Sequence, residues 1–445
     1  MNNLTRRDWL RLSAMGLAGH SLSGWFPALA AEGLSSAERK RACILLWMPG
    51  GPTQTDTFDM KPEHANGGEF AAIDTSVPGL KICEHLPQLA QQMEHLALVR
   101  SMQTKEGDHL RATYHLRTGY RPQGPVQYPT FGSLVSHELS AADLDLPGYV
   151  SVLPSIFFEQ SLGPGFLGPS RAPLVVGGGN APSGGDGEDG FGPPLQVRDT
   201  KLPDAVDLTQ SDARLGLLGD LEDSFASNRA GLATDSHRAA YRQAVRMMRS
   251  PALKAFDLDE EPASVREKYG RNRFGQACLL ARRLVEQDVP FIEISLSSVE
   301  GQQVFGWDTH SGNFATVQSL CEVLDPAWAT LIDDLQQRGL LDTTLVMWMG
   351  EFGRTPRING SGGRDHFPNA WSTVLCGGGI RGGQPYGSTS ASGNEVVDNP
   401  VSTAQLLATV CAAMGIDHTK QNMSNVGRPI RIVEPDVEPI AELLT

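Results

Sequence analysis

The chain has 445 residues and a formal net charge of −14 at pH 7, from 37 basic and 51 acidic residues. Nucleic acid and anionic lipid surfaces require basic patches on a protein, so we expect neither of them as a partner. Six cysteines lie far apart in the chain with no Cys-x-x-Cys pair, which excludes a zinc-thiolate site and predicts buried free thiols.

The first 30 residues have the features of an export signal. Arg6 and Arg7 precede a mildly apolar stretch at 12–25, and small residues at 28–30 match a cleavage site. The apolar stretch is too short and too rich in glycine for a membrane span, which takes about 20 apolar residues. We therefore predict export by the twin-arginine pathway, to the periplasm or beyond, with no stable membrane span after processing. This pathway carries folded proteins, which suits a protein that acquires a metal ion before export.

Residues 31–445 are sufficient for a single large α/β domain. Buried strand-like runs alternate with stretches in which apolar residues recur every three to four positions, the period of a helix. The strand-like runs are 43–48, 96–100, 291–296, 345–349 and 372–376, and the helix-like stretches are 274–286, 315–337 and 402–414. This alternation predicts a mostly parallel central sheet with helices on both faces.

The middle of the chain interrupts this alternation. Glycine and proline dominate 163–194, which predicts an exposed irregular loop, either a lid or a long surface connection. Charged, helix-like sequence follows at 207–269. We therefore assign a loop-rich and helical insertion to about 151–270.

Acidic residues and histidines cluster in glycine-rich turns that follow the strand-like runs. They are Asp56, Asp59, Asp308, His310, Glu351, Asp365 and His366. In parallel sheets ligands bind outside the carboxyl ends of the strands, so we expect these turns to converge there. Carboxylate oxygen and imidazole nitrogen are ligands of divalent ions. The turns therefore predict a site for divalent metal ions, with zinc, manganese and calcium as the candidates.

Several of these residues have a second interpretation. Asp56 and Asp59 lie in a Gly-Pro-Thr turn, where acidic residues commonly cap the next helix. Glu351 either binds a metal or forms a buried ion pair with Arg354. Arg354 in turn either balances that charge or clamps an anionic substrate through its planar guanidinium. The other acid and histidine pairs either bind a metal or brace the turns in which they lie.

Motifs along nearly the whole chain after residue 30 carry a family resemblance. They are 48–59, His109 with 118–120, 165–169, 274–276 before 281–284, 307–310, and 350–356 before 363–366. Together they resemble the exported proteins grouped as domain of unknown function 1501. By similarity that family belongs to the alkaline phosphatase and sulfatase superfamily. The resemblance implies an alkaline phosphatase-like sheet, two divalent metals, and hydrolysis of a phosphate or sulfate ester of a small molecule or saccharide.

The superfamily pattern, carried over residue by residue, implies metal ligands. Asp308 and His310 resemble the aspartate and histidine of one metal site, and His366 resembles the late histidine that completes it. Glu351 stands where the superfamily has an aspartate, whereas Phe352 replaces the histidine that normally follows. Either of the two upstream aspartates, 56 or 59, resembles the early aspartate, although both lie several residues beyond its usual place.

The position of the superfamily nucleophile, counted back from the Thr-Gly at 118–119, falls near His109. No serine, threonine or cysteine occupies it, and the sulfatase signature Cys-x-Pro-Ser-Arg is absent from the chain. His109 therefore binds a metal, acts as acid or base, or attacks phosphorus itself. We favour attack by metal-activated water, with Arg354 or Arg111 steadying the anion and with Thr104 and Thr113 as fallback nucleophiles. The alternative is a non-catalytic exported binding protein that retains the fold.

Overall fold

The computed structural model describes residues 40–122, 124–141, 144–155, 163–177, 195, 197, 200, 202–227, 232–299 and 305–445. The predicted export signal at 1–30 and residues 178–194 of the glycine- and proline-rich run 163–194 lie outside these residues.

Sixteen strands occur in the described parts of the chain. They are β1 (Ala42–Trp47), β2 (Ala72–Asp74), β3 (Lys81–Cys83), β4 (Leu96–Met102), β5 (Tyr149–Val152), β6 (Leu174–Val176), β7 (Phe291–Ser295), β8 (Thr344–Met349), β9 (Gly353–Arg354), β10 (His366–Phe367), β11 (Trp371–Gly377), β12 (Gln384–Tyr386), β13 (Ser388–Thr389), β14 (Val396–Asp398), β15 (Gln421–Met423) and β16 (Pro429–Arg431).

Nine α-helices accompany them in the same described ranges. They are α1 (Pro87–Gln91), α2 (His109–Thr118), α3 (Phe131–Leu139), α4 (Leu208–Ser227), α5 (Leu232–Arg249), α6 (Ala263–Lys268), α7 (Arg273–Glu286), α8 (Asn313–Gln337) and α9 (Thr403–Ala413). The helix-like stretches predicted at 274–286, 315–337 and 402–414 correspond to α7, α8 and α9.

Eight strands form one central sheet in the order β12-β4-β11-β8-β1-β7-β5-β6. Within this sheet β11 runs antiparallel to both of its neighbours, and every other neighbouring pair is parallel. The prediction of a mostly parallel α/β sheet is therefore confirmed. All five strand-like runs predicted from the sequence are strands of this sheet, namely β1, β4, β7, β8 and β11.

Side chains of the central strand β1 alternate between two hydrophobic cores. Ile44 and Leu46 pack on one face with residues of α1, α7 and α8. Cys43, Leu45 and Trp47 pack on the other face with residues of α2, α3 and α9. Successive side chains of a strand point to opposite faces of a sheet, so both faces of β1 are buried. The predicted covering of both faces by helices is confirmed.

The segment predicted as an insertion contributes to the sheet as well. β6 pairs in parallel with β5 and forms the outer strand at that edge of the sheet. The helices α4, α5 and α6 then cover most of the stretch predicted as helix-like at 207–269. The limits of the insertion, 151–270, stay a prediction.

All six cysteines are buried and free, which confirms the prediction made for them. Burial raises the pKa of the Cys83 thiol to about 12, so that this side chain stays protonated. In the described parts of the chain, no helix combines the length and the apolar character that a bilayer span needs.

Candidate metal centre

Loops from distant parts of the chain meet at one edge of the central sheet. β1, β4, β7 and β8 run in the same direction, so their carboxyl ends lie at that edge. Because β11 runs the opposite way, the segment that precedes it, including β10, reaches the same edge. The turns that carry the predicted ligands therefore converge, as expected for a parallel sheet.

Two glycines let these turns approach each other at backbone distance. A Cβ atom at Gly50 would lie 2.4 Å from the amide nitrogen of Asp308, and Gly50 has a φ of +110°. A Cβ atom at Gly363 would lie 2.1 Å from the carbonyl carbon of His310. Only glycine fits at such positions. The glycine-rich composition of the turns therefore serves their close packing.

His109 enters the site from the first turn of α2. The Asp108 side chain caps this helix by accepting a hydrogen bond from the amide of Arg111 at 3.1 Å. The ring of His109 stacks nearly parallel to Phe305, with 5.9 Å between centroids, and it also contacts Phe352. The helix start and these two rings fix the direction of the imidazole.

Asp308 lies at the centre of the site. Its Oδ1 atom is 3.1 Å from Nε2 of His310, 3.2 Å from Nε2 of His366 and 3.4 Å from Nε2 of His109. The same oxygen accepts a hydrogen bond from Nη2 of Arg354. The Nε2 atoms of His310 and His366 are only 3.0 Å apart. Ligand atoms of His109, Asp308 and His366 all lie within 4.8 Å of one another.

The Nδ1 atom of each histidine faces a group that only accepts hydrogen bonds. These pairs are His109 with Oε1 of Glu351 at 2.6 Å, His310 with Oδ1 of Asp365 at 2.8 Å, and His366 with the carbonyl of Gly107 at 2.8 Å. Each Nδ1 therefore donates a proton, and in the neutral ring the lone pair is left on Nε2. Metal-binding histidines are commonly oriented by such a carboxylate or carbonyl.

This donor set fits a divalent cation. Nitrogen lone pairs and a carboxylate oxygen repel one another at 3.0–3.4 Å unless a proton or a metal ion lies between them. Ligands bound at 2.0–2.1 Å in a tetrahedral zinc site are about 3.3 Å apart, which is close to these four distances. Three carboxylates, those of Asp308, Glu351 and Asp365, face the single positive charge of Arg354. In addition, Oε2 of Glu351 is buried and has no hydrogen-bond partner among the described residues.

In the metal-free protein the close contacts between histidines and carboxylates shift their pKa values. Burial lowers the pKa of His109, but hydrogen bonds to Asp308 and Glu351 outweigh burial and raise it to about 9. Burial opposes ionisation of Asp308, whereas hydrogen bonds from His109 and His366 and the charge of Arg354 hold its pKa well below the usual value. The hydrogen bond from His310 lowers the pKa of Asp365. At neutral pH the ring of His109 therefore keeps a proton on Nε2, the nitrogen that faces Asp308.

The predicted anion-binding arginines have other partners in the structure. The Arg354 side chain has no exposed surface, and it donates to the carbonyls of Gly51 and Arg364 as well as to Asp308. Its acidic partner is therefore Asp308, which corrects the alternative of a Glu351–Arg354 ion pair. Arg111 lies at the surface and forms a two-bond pair with Glu106, at 2.8 and 3.1 Å.

The two upstream aspartates lie outside this cluster. Asp56 is fully buried and accepts two hydrogen bonds from Arg364, both at 2.7 Å. Thr53 and Asn313 donate to it as well, at 2.9 and 2.8 Å. Asp59 accepts hydrogen bonds from the side chains of Lys61 and Thr389. Both carboxylates are thus occupied by neutral or cationic donors of the fold.

The family described as "Protein of unknown function (DUF1501)" matches residues 40–444. The chain belongs to this family. The family-level resemblance predicted from the sequence motifs is therefore confirmed. No curated protein matches this DUF1501 chain in sequence.

Several solved structures are similar to this DUF1501 chain. PsFucS1 sulfatase from Pseudoalteromonas sp. aligns over 88% of this chain and 71% of its own, with 14% identity and a TM-score of 0.36. The C-terminal periplasmic domain of EcEptC from Escherichia coli, in complex with Zn, aligns over 92% and 90%, with 10% identity and a TM-score of 0.38. Ps i-CgsB in complex with k-i-k-neocarrahexaose aligns over 85% and 73%, with 12% identity and a TM-score of 0.39. At these values the likeness carries no conclusion about what the DUF1501 chain binds.

The sequence did not predict the roles of two groups in this DUF1501 chain, the carbonyl of Gly107 and the side chain of Arg364. The carbonyl of Gly107 orients His366, and backbone acceptors have no sequence signal. Arg364 forms the ion pair with Asp56, and the only hint is its place in the turn 363–366, directly before Asp365 and His366. A charged residue inside a turn of predicted ligands therefore serves as counter-ion to a carboxylate distant in sequence.

Proposed function

We propose that this chain is a metal-dependent hydrolase of phosphate or sulfate esters. The observation that carries the proposal is the cluster of Asp308 Oδ1 and three imidazole Nε2 atoms at the carboxyl edge of the sheet. His109, Asp308, His310 and His366 would hold a divalent ion such as zinc, manganese or calcium. The bound ion would act as a Lewis acid and lower the pKa of a water molecule to about 7.

The surrounding residues orient these ligands and balance their charge. Glu351 and Asp365 hold His109 and His310 with the proton on Nδ1, which leaves Nε2 available. The buried guanidinium of Arg354 donates a hydrogen bond to Oδ1 of Asp308. Three carboxylates and one guanidinium leave a net charge of −2, which a divalent ion would neutralise. The chain thus supplies ligands, their orientation and their charge balance.

The open side of the cluster is the side of His310. Its side chain is 46% exposed and that of Asp365 is 55% exposed, whereas Glu351 on the opposite side is fully buried. An ester would therefore approach from the side of His310. The aromatic ring of Phe352, which is buried, closes the site behind His109.

We further propose that water is the attacking nucleophile. The position at the start of α2 holds His109, whose Nδ1 is bonded to Glu351 and whose Nε2 faces Asp308. Neither ring nitrogen is directed away from the cluster, so His109 is better placed as a ligand than as a nucleophile. We expect no covalent phospho- or sulfo-enzyme.

Hydrolysis of a panel of phosphate monoesters, phosphate diesters and sulfate esters by the metal-loaded chain tests the proposal. We expect turnover that is abolished by His310→Ala and retained by His418→Ala, a histidine outside the cluster. Complete inactivity of the metal-loaded wild type over the whole panel would contradict the proposal and favour a non-catalytic exported binding protein.

A second experiment tests the route. Rapid acid quench during turnover should yield no modified chain, and hydrolysis in ¹⁸O-labelled water should place the label in the released phosphate or sulfate, which reports cleavage at phosphorus or sulfur. His109→Ala should reduce the rate. A phosphoryl or sulfuryl adduct on Thr104 or Thr113 would refute attack by water.

We also propose that the chain is exported by the twin-arginine pathway. The support is the order of Arg6 and Arg7, the apolar stretch 12–25 and the small residues 28–30. Arg6→Lys combined with Arg7→Lys should leave the unprocessed precursor in the cytoplasm. Normal processing of this double variant would refute the pathway.

A further inference from the structure

A cavity of about 890 Å³ is lined in part by α2 and by the loop after β4. Thr104 and Lys105, from the loop after β4, form part of its wall, together with His115 of α2 and the first residues of α9. The four candidate metal ligands are not among its lining residues. Its volume is in the range typical of small-molecule sites.

Two buried hydroxyl groups in the wall of this cavity lack a hydrogen-bond partner among the residues that the structure describes. Thr104 is 8% exposed and Thr403 is 2% exposed, and neither Oγ1 atom has a hydrogen-bond partner in the described parts of the chain. A buried hydroxyl without a partner costs free energy, and native proteins rarely leave one. Both residues line the cavity, and rotation of their side chains toward it would bring the hydroxyls to a bound polar molecule.

The N-terminus of α9 opens into the same cavity. Ser402 caps this eleven-residue helix by accepting a hydrogen bond from the amide of Gln405, whose side chain accepts one from the amide of Ser402. The cap leaves the amides of Thr403 and Ala404, which lie in the cavity wall, without a partner inside the helix. Such a helix end attracts anions.

The charged side chains in the wall also favour an anion. Lys105 and Arg121 line the cavity, and the nearest acidic contact of Arg121 is a distant one to Glu106, at 3.8 Å. Burial and the charge of Arg121 lower the pKa of His115 to about 4, so its ring is neutral and offers a hydrogen bond without charge. Glu434 is the acidic residue of the wall and would accept hydrogen bonds from hydroxyl groups.

An aromatic surface completes the wall. Tyr120 and Tyr128 stack on each other with 4.3 Å between ring centroids and 10° between planes. Both line the cavity, and their rings present apolar surface between the polar groups. A ligand with a flat apolar face, hydroxyl groups and one anionic group matches this combination.

We propose that this cavity binds an anionic saccharide, a sugar that carries a phosphate, sulfate or carboxylate group. The anionic group would lie at the start of α9 between Lys105 and Arg121. The hydroxyls of Thr104 and Thr403 would bond to it, and Glu434 would accept from the sugar hydroxyls. The site needs no metal ion, so it stands independently of the proposed hydrolase activity.

Isothermal titration calorimetry of the full chain tests the proposal. The ligands are glucose 6-phosphate, glucose 6-sulfate and glucuronate, and inorganic phosphate and glucose are titrated separately for comparison. We expect at least one of the three sugar anions to bind more tightly than either inorganic phosphate or glucose. Arg121→Gln should weaken that binding by about tenfold, because a charge-assisted hydrogen bond is lost. Thr403→Val should weaken it about threefold or more.

Two variants serve as controls. Thr344→Val removes another buried hydroxyl that has no partner within the described ranges, at the start of β8 and outside the cavity, and should leave binding unchanged. Asp308→Asn should also leave it unchanged, which separates this site from the candidate metal centre. The proposal is overturned if wild type binds none of the three sugar anions, or if Arg121→Gln and Thr403→Val bind as tightly as Thr344→Val.

Discussion

Two aspartate–arginine pairs lie close to each other in glycine-rich turns, yet their surroundings differ. In the pair of Asp56 and Arg364 both side chains are fully buried. The guanidinium bonds to both oxygens of Asp56, and the side chains of Thr53 and Asn313 donate to Oδ2 as well. In the described parts of the chain, this carboxylate thus accepts four hydrogen bonds from side chains of the fold.

In the second pair Asp308 is 23% exposed and bonds to one guanidinium nitrogen of Arg354. The same oxygen also faces Nε2 atoms of three histidines, which carry lone pairs in the neutral tautomer set by their Nδ1 partners. The comparison gives a criterion for acidic turns. An aspartate saturated by donors braces the fold, whereas an aspartate among imidazole lone pairs is arranged to bind a cation.

The largest effect on stability is expected from Asp56→Ala. This change leaves the guanidinium of Arg364 buried without its counter-ion, which costs about 3–5 kcal/mol of the free energy of unfolding. Urea unfolding of the variant measures the loss. Asp74→Ala, which removes an exposed acid, should change stability by less than about 0.5 kcal/mol. A loss below about 1 kcal/mol for Asp56→Ala would contradict the role assigned to the pair.

The largest effect on metal binding is expected from His366→Ala. Removing an orienting partner of a ligand typically costs 10–100-fold in affinity, so loss of the ligand itself should cost more than about 100-fold. Competition with a chromophoric chelator measures zinc affinity, with His418→Ala as the control. An unchanged affinity would remove His366 from the ligand set.

A smaller effect is expected from Asp365→Asn. The hydrogen bond to Nδ1 of His310 is weakened while the imidazole stays in place, so zinc affinity should fall by about 10–100-fold. The number of ions bound at saturation should stay the same. Loss of a whole ion at saturation would instead make Asp365 a ligand, as the sequence predicted.

The smallest effect is expected in the dependence of thermal stability on pH. The pKa of His109 in the metal-free folded chain is about 9, above the ordinary value of 6.5. The protonated ring therefore contributes stability that is fully present below about pH 6.5 and is lost as the pH rises through about 9. The melting temperature of metal-free wild type should decline from pH 7 to 9.5 more than that of His109→Gln. Parallel curves for the two proteins would contradict the raised pKa.

The sequence predicted the framework of the site because that framework depends on local patterns. Apolar strand-like runs identified β1, β4, β7, β8 and β11, and the rule that loops meet at the carboxyl ends of parallel strands brought their turns together. The convergence of Asp308, His310 and His366 followed from that rule.

The sequence could not assign the partners within the site. Whether Glu351 faces Arg354 or His109 depends on the packing of β8 against the start of α2, which lie 242 residues apart in the chain. The saturation of Asp56 by Arg364 depends likewise on contacts across 308 residues. Distinguishing ligands from the groups that orient them requires knowing which ring nitrogen faces which oxygen, and no spacing in the sequence carries that information.

X-ray absorption spectroscopy of the zinc-loaded chain tests most directly the claim that Asp308 and the three imidazoles bind a cation. The account predicts a shell at about 2.0–2.2 Å with three imidazole nitrogens, one carboxylate oxygen and one water oxygen. His366→Ala, loaded at saturating zinc, should show one imidazole fewer. A shell of oxygen atoms alone, or the same number of imidazoles in wild type and variant, would contradict it.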